Sequence, residues 1–155
     1  MIFNLKSDNH NKKSSARLFA VQILFEMEIN GKKINNILER LTNEYLIEIS
    51  RLNKTEKADK NHLIKILKGV AKSQKDIDLN INDNLIGWSL SRIDSVSRAI
   101  LRSALYELRE CNDIPVKVII NEYIEISKSF FEGDEPNFIN GILDKVSKIY
   151  RPNEF

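Results

Sequence analysis

The amino-acid sequence predicts an all-α protein of six to seven helices in two packed helical bundles. Glycine and proline are scarce, at 5 and 3 of 155 residues, which disfavours a turn-rich β architecture. Apolar residues recur at helical spacing over most of the chain. Residues 116–120 are the one rival β segment, and their continuation into Tyr123, Ile124 and Ser127 extends a helical face. With 42% hydrophobic and 30% charged residues, the composition is that of a soluble globular chain.

Residues 1–13 are polar and basic and read as a flexible arm. Ser14 or Ser15 can cap a first helix that reaches about residue 29. Ala16, Ala20, Ile23, Leu24 and Met27 keep its spacing. Leu18, Val21 and Phe25 widen the apolar surface beyond one stripe, so burial on several sides is expected. A second helix is read over about 34–49, a charged loop over 50–60 and a third helix over about 59–79. Residues 80–91 suggest a short helix or turn set on the core by Ile81, Leu85, Ile86 and Trp88. The next helix carries Ile93, Val96, Ala99, Ile100, Ala104 and Leu108 on one face, with Asp94 four residues before Arg98 in the favourable order. Pro115 suits the first turn of a helix over about 116–131. Gly133 stops it. Asp134 is placed to cap the last helix, on which Ile139, Ile142, Leu143, Val146 and Tyr150 keep strict spacing. The domain so read covers 14–152, with subdomains of about 14–80 and 81–152. Trp88, Ile100, Ala104, Ile120, Ile139 and Leu143 are expected in the core. Gly141, which costs a helix ~1 kcal/mol relative to Ala, is expected to mark the close approach of another helix.

No apolar run nears the ~20 residues that span a bilayer, the first residues lack a signal-peptide core, and the single cysteine, Cys111, has no internal partner. A cytoplasmic protein without membrane contact is expected. No phosphate-binding loop or dinucleotide fingerprint occurs. His10, His62 and Cys111 do not make a zinc set, and Cys111 has no base beside it in sequence. Neither catalysis nor a cofactor is expected. The net charge of +2 hides an asymmetry: 15 Lys and Arg against 8 Asp and Glu in residues 1–75, then 9 against 14 in residues 76–155. A basic half attracts phosphate and an acidic half can dock a basic protein; a solvated mixed surface is the alternative.

Three features can bind RNA or a partner. Lys12, Lys13, Ser14, Ser15 and Arg17 gather at a helix start, where exposed N–H groups and hydroxyls favour a phosphate; an ordinary basic tail fits the same residues. Around Gly133, the aromatics Phe130, Phe131 and Phe138 flank a short loop with Asp134 and Asn137. Unpaired bases stack on such rings for ~1–3 kcal/mol each, although the rings can equally be core and Asp134 a simple cap. Arg98, Arg102 and Arg109 share one helix face, either as a site or as a solvated stripe.

Residues 98–102 (Arg-Ala-Ile-Leu-Arg), 104–108 (Ala-Leu-Tyr-Glu-Leu), 114–122 (Ile-Pro-Val-Lys-Val-Ile-Ile-Asn-Glu), 124–130 and above all 138–145 (Phe-Ile-Asn-Gly-Ile-Leu-Asp-Lys) resemble, in order and spacing, the NusB family. The likeness covers roughly 88–152, with a moderate match in the first helix. It implies an RNA-binding antitermination factor rather than an enzyme. It further implies partnership with NusE, a small-subunit ribosomal protein, joint binding of single-stranded boxA RNA, and assembly with RNA polymerase and other Nus factors to read through terminators, notably in ribosomal RNA operons. By this resemblance Lys12, Lys13, Ser14, Arg17, Phe130, Asp134, Asn137 and Phe138 form the RNA site. Phe25, Ser97 and Arg98 face NusE. The family's arginine-rich helix start is thinned here to Lys12, Lys13 and Arg17, and Ser97 stands where an acidic residue is usual. Two alternatives are an RNA-binding domain related to ribosomal RNA methyltransferases, for whose catalytic part 155 residues leave no room, and a purely protein-binding helical scaffold.

Overall fold

Residues 11–155, described by a computed structural model, form seven α-helices and two short 3-10 turns, with no strand among them. The helices are α1 (Lys12–Asn30), α2 (Ile34–Arg40), α3 (Asn43–Asn53), α4 (Lys60–Asp83), α5 (Ser95–Glu110), α6 (Val116–Phe130) and α7 (Glu135–Tyr150). Helix α5 packs against α1, α4, α6 and α7, and α1 also meets α4 and α6. The apolar surplus of α1 has this cause: every residue from Ser14 to Leu24 is buried. One apolar cluster runs from Ala16 to Val146 and includes Ile100, Ala104, Ile139 and Leu143, as expected. Arg151 ties the end of α7 to the end of α5 by donating to the carbonyls of Glu107, Leu108, Cys111 and Ile114. Two of these belong to the last turn of α5 and two to the connector that follows it.

Several elements depart from the sequence reading. Asn11, not Ser14 or Ser15, caps α1: its Oδ1 accepts from the Ser14 N–H at 2.8 Å. The helix therefore starts inside the stretch read as an arm, while residues 1–10, His10 among them, lie outside the described residues. The single helix expected over 34–49 is two. Thr42 starts the second by accepting from the Tyr45 N–H at 3.1 Å, an N-cap placed in mid-pattern. Helix α4 runs on to Asp83 across a non-helical residue, Ser73 (φ −112°, ψ 17°).

The connector from α4 to α5 then turns at Gly87 (φ 74°). Leu85 and Leu90 pack inward, whereas Ile86 and Trp88 point outward with 83% and 58% of their surface exposed. Trp88 is thus not core, because a left-handed turn breaks the face on which periodicity placed it. Ile120 only packs against the core from its edge.

The close approach expected at Gly141 occurs instead at Gly69. A Cβ at Gly141 would meet nothing within 4 Å, whereas one at Gly69 would lie 2.0 Å from the Tyr106 ring. We predict that Gly69→Ala lowers the melting temperature, as overpacking by ~1–3 kcal/mol requires. Gly141→Ala should raise it by the propensity gained, up to ~1 kcal/mol. Thermal denaturation of the two variants checks both signs.

Candidate nucleic-acid interface

The basic start of α1 divides into an outer and an inner part. Lys12 and Lys13 are exposed. Ser14 is buried and donates its hydroxyl to Glu122 at 2.6 Å, so that hydroxyl is already committed within the protein. Arg17 lies one helical turn further in and is 1% exposed. It is not a surface phosphate ligand but a core residue: its guanidinium forks onto Glu107 of α5 at 2.9–3.1 Å and reaches Glu122 of α6 at 3.2 Å.

Glu107, wholly buried, gathers the rest of this network. His62 of α4 shares a hydrogen bond with its Oε1 at 2.9 Å, and the Tyr123 hydroxyl of α6 donates to its Oε2. With that phenol proton committed, the Ser103 hydroxyl donates to the Tyr123 oxygen at 2.7 Å. Burial pushes the Glu107 carboxyl up, but the His62 and Arg17 hydrogen bonds and the Arg17 charge outweigh it and bring the pKa to about 2 from 4.5. Burial likewise holds the Tyr123 phenol well above its ordinary value and pushes the Cys111 thiol up, in line with an inert cysteine.

Because folding depresses the Glu107 pKa, its contribution is fully present above pH 4.5 and is lost as pH falls toward about 2; the difference is worth ~3 kcal/mol. Glu107→Gln should therefore cost about 3 kcal/mol or more at neutral pH, as breaking a buried pair does. The variant should also show a flatter loss of stability over that acid window. Urea denaturation across pH, read by circular dichroism, measures both.

The turn between α6 and α7 holds the second set. Phe130 and Phe131 pack partly against the core, with ring centroids 6.3 Å apart. Asp134 and Asn137 are exposed, and Phe138 is 40% exposed, so its ring is not core. The Asp134 side chain does not cap α7. Instead Pro136 sits in the first turn with a preset φ and no N–H to satisfy. Asp134 and Phe138 meet, with Glu135, around a cavity of about 310 Å³ whose other walls are Trp88, Arg92, Ile93, Asp94 and Ser97. Phe130 and Asn137 do not line it, nor does the start of α1. That helix reaches α6 at Glu122, roughly two turns or ~12 Å along the axis before Phe130. Trp88 and Arg92 were not legible as site residues; the only sequence signal was Gly87, a turn residue beside the tryptophan.

The third set lies where α1, α4 and α5 converge. Phe25 is half-buried against the core. Ser97 is 1% exposed, with both its N–H and hydroxyl given to Asp94, the cap of α5. Asp94 acts chiefly as that cap; its charge also favours the Arg98 guanidinium, whose direct ion pair is with Glu28. Arg98 bonds Glu28 and the carbonyls of Leu90 and Ile93, and Arg102 bonds Asp78 at 2.8–3.0 Å and Glu28 at 3.1 Å. The hydrogen bond from Arg98 holds the Glu28 carboxyl below the usual range against its partial burial. These arginines form a semi-buried lattice and not a solvated stripe. Arg109 stands apart, paired with Glu110. An open groove of about 800 Å³ borders the lattice, lined among others by Leu24, Met27, Lys32, Ile34, Arg98 and Arg102.

This all-helical fold, with a cationic helix start, an open aromatic turn and an ion-paired groove, is that of a NusB-type helical domain. The chain belongs to the NusB family, whose profile spans residues 14–148. It is 42% identical to the protein of Bartonella quintana over 91% of each chain. To that of Mesorhizobium japonicum it is 44% identical, over 91% of this chain and 92% of the other. Both are called Transcription antitermination protein NusB. NusB of T. maritima superposes with a TM-score of 0.78 at 32% identity, covering 93% of this chain and 96% of that one. No described helix is long and apolar enough to cross a membrane.

Proposed function

We propose that this protein is a non-catalytic antitermination factor that pairs with NusE, binds boxA RNA and, with RNA polymerase and other Nus factors, promotes read-through of ribosomal RNA operons. The observation that carries this reading is the identity of 42–44% to antitermination proteins across nine-tenths of each chain. Two local features support it. Exposed Lys12 and Lys13 are free to neutralise phosphates, which gives salt-sensitive affinity with little sequence preference. Open Phe138 can stack on an unpaired base, with the Asn137 amide beside it. Asp134 opposes the RNA by its charge.

Lys12→Glu with Lys13→Glu should weaken boxA binding and lower the slope of log affinity against log salt by about 1.4, at ~0.7 per single-strand phosphate contact. Asp134→Asn should tighten binding, because it removes a charge and forfeits no cap. Filter binding or fluorescence anisotropy with NusE present, at several salt concentrations, checks both; an unchanged slope in the double variant would remove the lysines from the site.

NusE is assigned to the surface around Phe25, where an aromatic ring beside charged residues forms a common hot-spot arrangement. Phe25→Asp should abolish NusE capture in a pull-down while the helical spectrum stays intact. A variant that unfolds instead would make Phe25 a core residue and withdraw it from the interface.

A further inference from the structure

The cavity between the α4–α5 connector and the start of α7 joins three properties that together suit a planar ligand. Its volume, about 310 Å³, accommodates a planar ring system. Two of its walls are aromatic rings left open to solvent, Trp88 at 58% and Phe138 at 40%. Two more are the carboxylates of Asp134 and Glu135. Among the described residues neither carboxylate enters an ion pair, Asp134 does not cap α7, and Glu135 Oε2 has no hydrogen-bond partner. Acceptors held beside open aromatic faces call for a flat occupant that carries N–H donors.

We propose that this cavity is a base pocket, in which Trp88 stacks on one unpaired base of the bound RNA and Glu135 accepts from that base's exocyclic amine. The inference rests on the RNA-binding reading above and extends it from Phe138 and Asp134 to residues of a different element. Continuity with that surface selects RNA over a basic protein side chain as the occupant. Carboxylates also dictate which base fits. Cytosine, adenine and guanine each present an exocyclic amine donor, which Asp and Glu can accept, as they do from cytosine N4 in base readout. Uracil, alone among the four bases, has no exocyclic amine and turns a carbonyl acceptor to that position, so it fits less well. Arg92, exposed at the same cavity, serves the phosphate that the carboxylates keep out.

Trp88 is the only tryptophan of the chain, so its fluorescence reports on the pocket alone. Oligo(rC) and boxA RNA should quench it, and oligo(rU) should quench it much less. Glu135→Gln should narrow the gap between oligo(rC) and oligo(rU). Trp88→Leu should weaken boxA affinity, measured by anisotropy of labelled RNA with NusE present, by at least about fivefold, the loss of ~1 kcal/mol of stacking. Its helical spectrum should be unchanged, because the ring is exposed. Wild-type affinity in Trp88→Leu, with Lys12→Glu and Lys13→Glu still weakening binding, would overturn the pocket and leave the RNA reading standing. A fluorescence change on adding NusE without RNA, and none on adding RNA, would give the cavity to a protein side chain and overturn it as well. If the wild-type chain binds no RNA with or without NusE, the RNA reading falls and the pocket falls with it.

Discussion

The contact on which the rest of the molecule is arranged is the buried fork between Arg17 and Glu107. A lone guanidinium or carboxylate in this core would carry a desolvation cost of several kcal/mol. Neither is alone, because α1 supplies the cation, α5 the carboxylate, α4 His62 and α6 Tyr123, Ser103 closing the chain of donors. Four helices must arrive in one register for every lone pair to be met. An apolar core of the same volume could be as stable but would tolerate sliding; a fully satisfied polar cluster would not. Stability therefore comes from the continuous apolar cluster, and this network selects which packing that cluster adopts.

The same requirement explains how cations are distributed. Arg17, Arg98, Arg102 and Arg151 are all turned inward, forked onto carboxylates or gathered on helix-end carbonyls. The rigid five-donor fork of arginine suits such positions, and lysine, a hydrated point charge on a flexible stem, does not. Lysines accordingly take the surface, at Lys12 and Lys13 and along the outer face of α4 at Lys65, Lys68, Lys72 and Lys75. Internal register is thus carried by arginines, while the surface holds the lysines together with Arg40, Arg51 and Arg92. A charge change at Lys12 or Lys13 acts on association, and one at Arg17 acts on the fold.

Legibility in the sequence follows from this division. Helical periodicity reports apolar burial, so α1, α5, α6 and α7 and most of the core could be read directly. It is blind to a polar residue that is buried because a partner meets it, which is why Arg17 looked like a phosphate ligand and His62 was weighed only as a zinc ligand. It is also blind to local breaks. Thr42 splits one periodic run into two helices, and Gly87 turns Trp88 away from the core that its composition suggested. Asp134 carried a cap signal that its backbone conformation (φ −87°, ψ −3°) does not use. In each case a single backbone angle or one distant partner decided the outcome, and neither is written in spacing.

Exposed aromatic residues need no explanation singly, since more than half of a protein surface is apolar. The surroundings of Trp88 and Phe138 are what make them informative. Glycine permits the left-handed turn of the connector and proline presets φ in the first turn of α7, so backbone conformation sets where the two rings stand. In the proposed pocket this backbone placement would limit the ordering entropy lost when RNA binds. The buried network serves the same end from below. It fixes α5 against α1 and α6, and α5 in turn carries Asp94 and Ser97 to the cavity wall. The rigidity of the core is therefore transmitted to that wall, which Ile93 and Ser97 join directly to the buried interior.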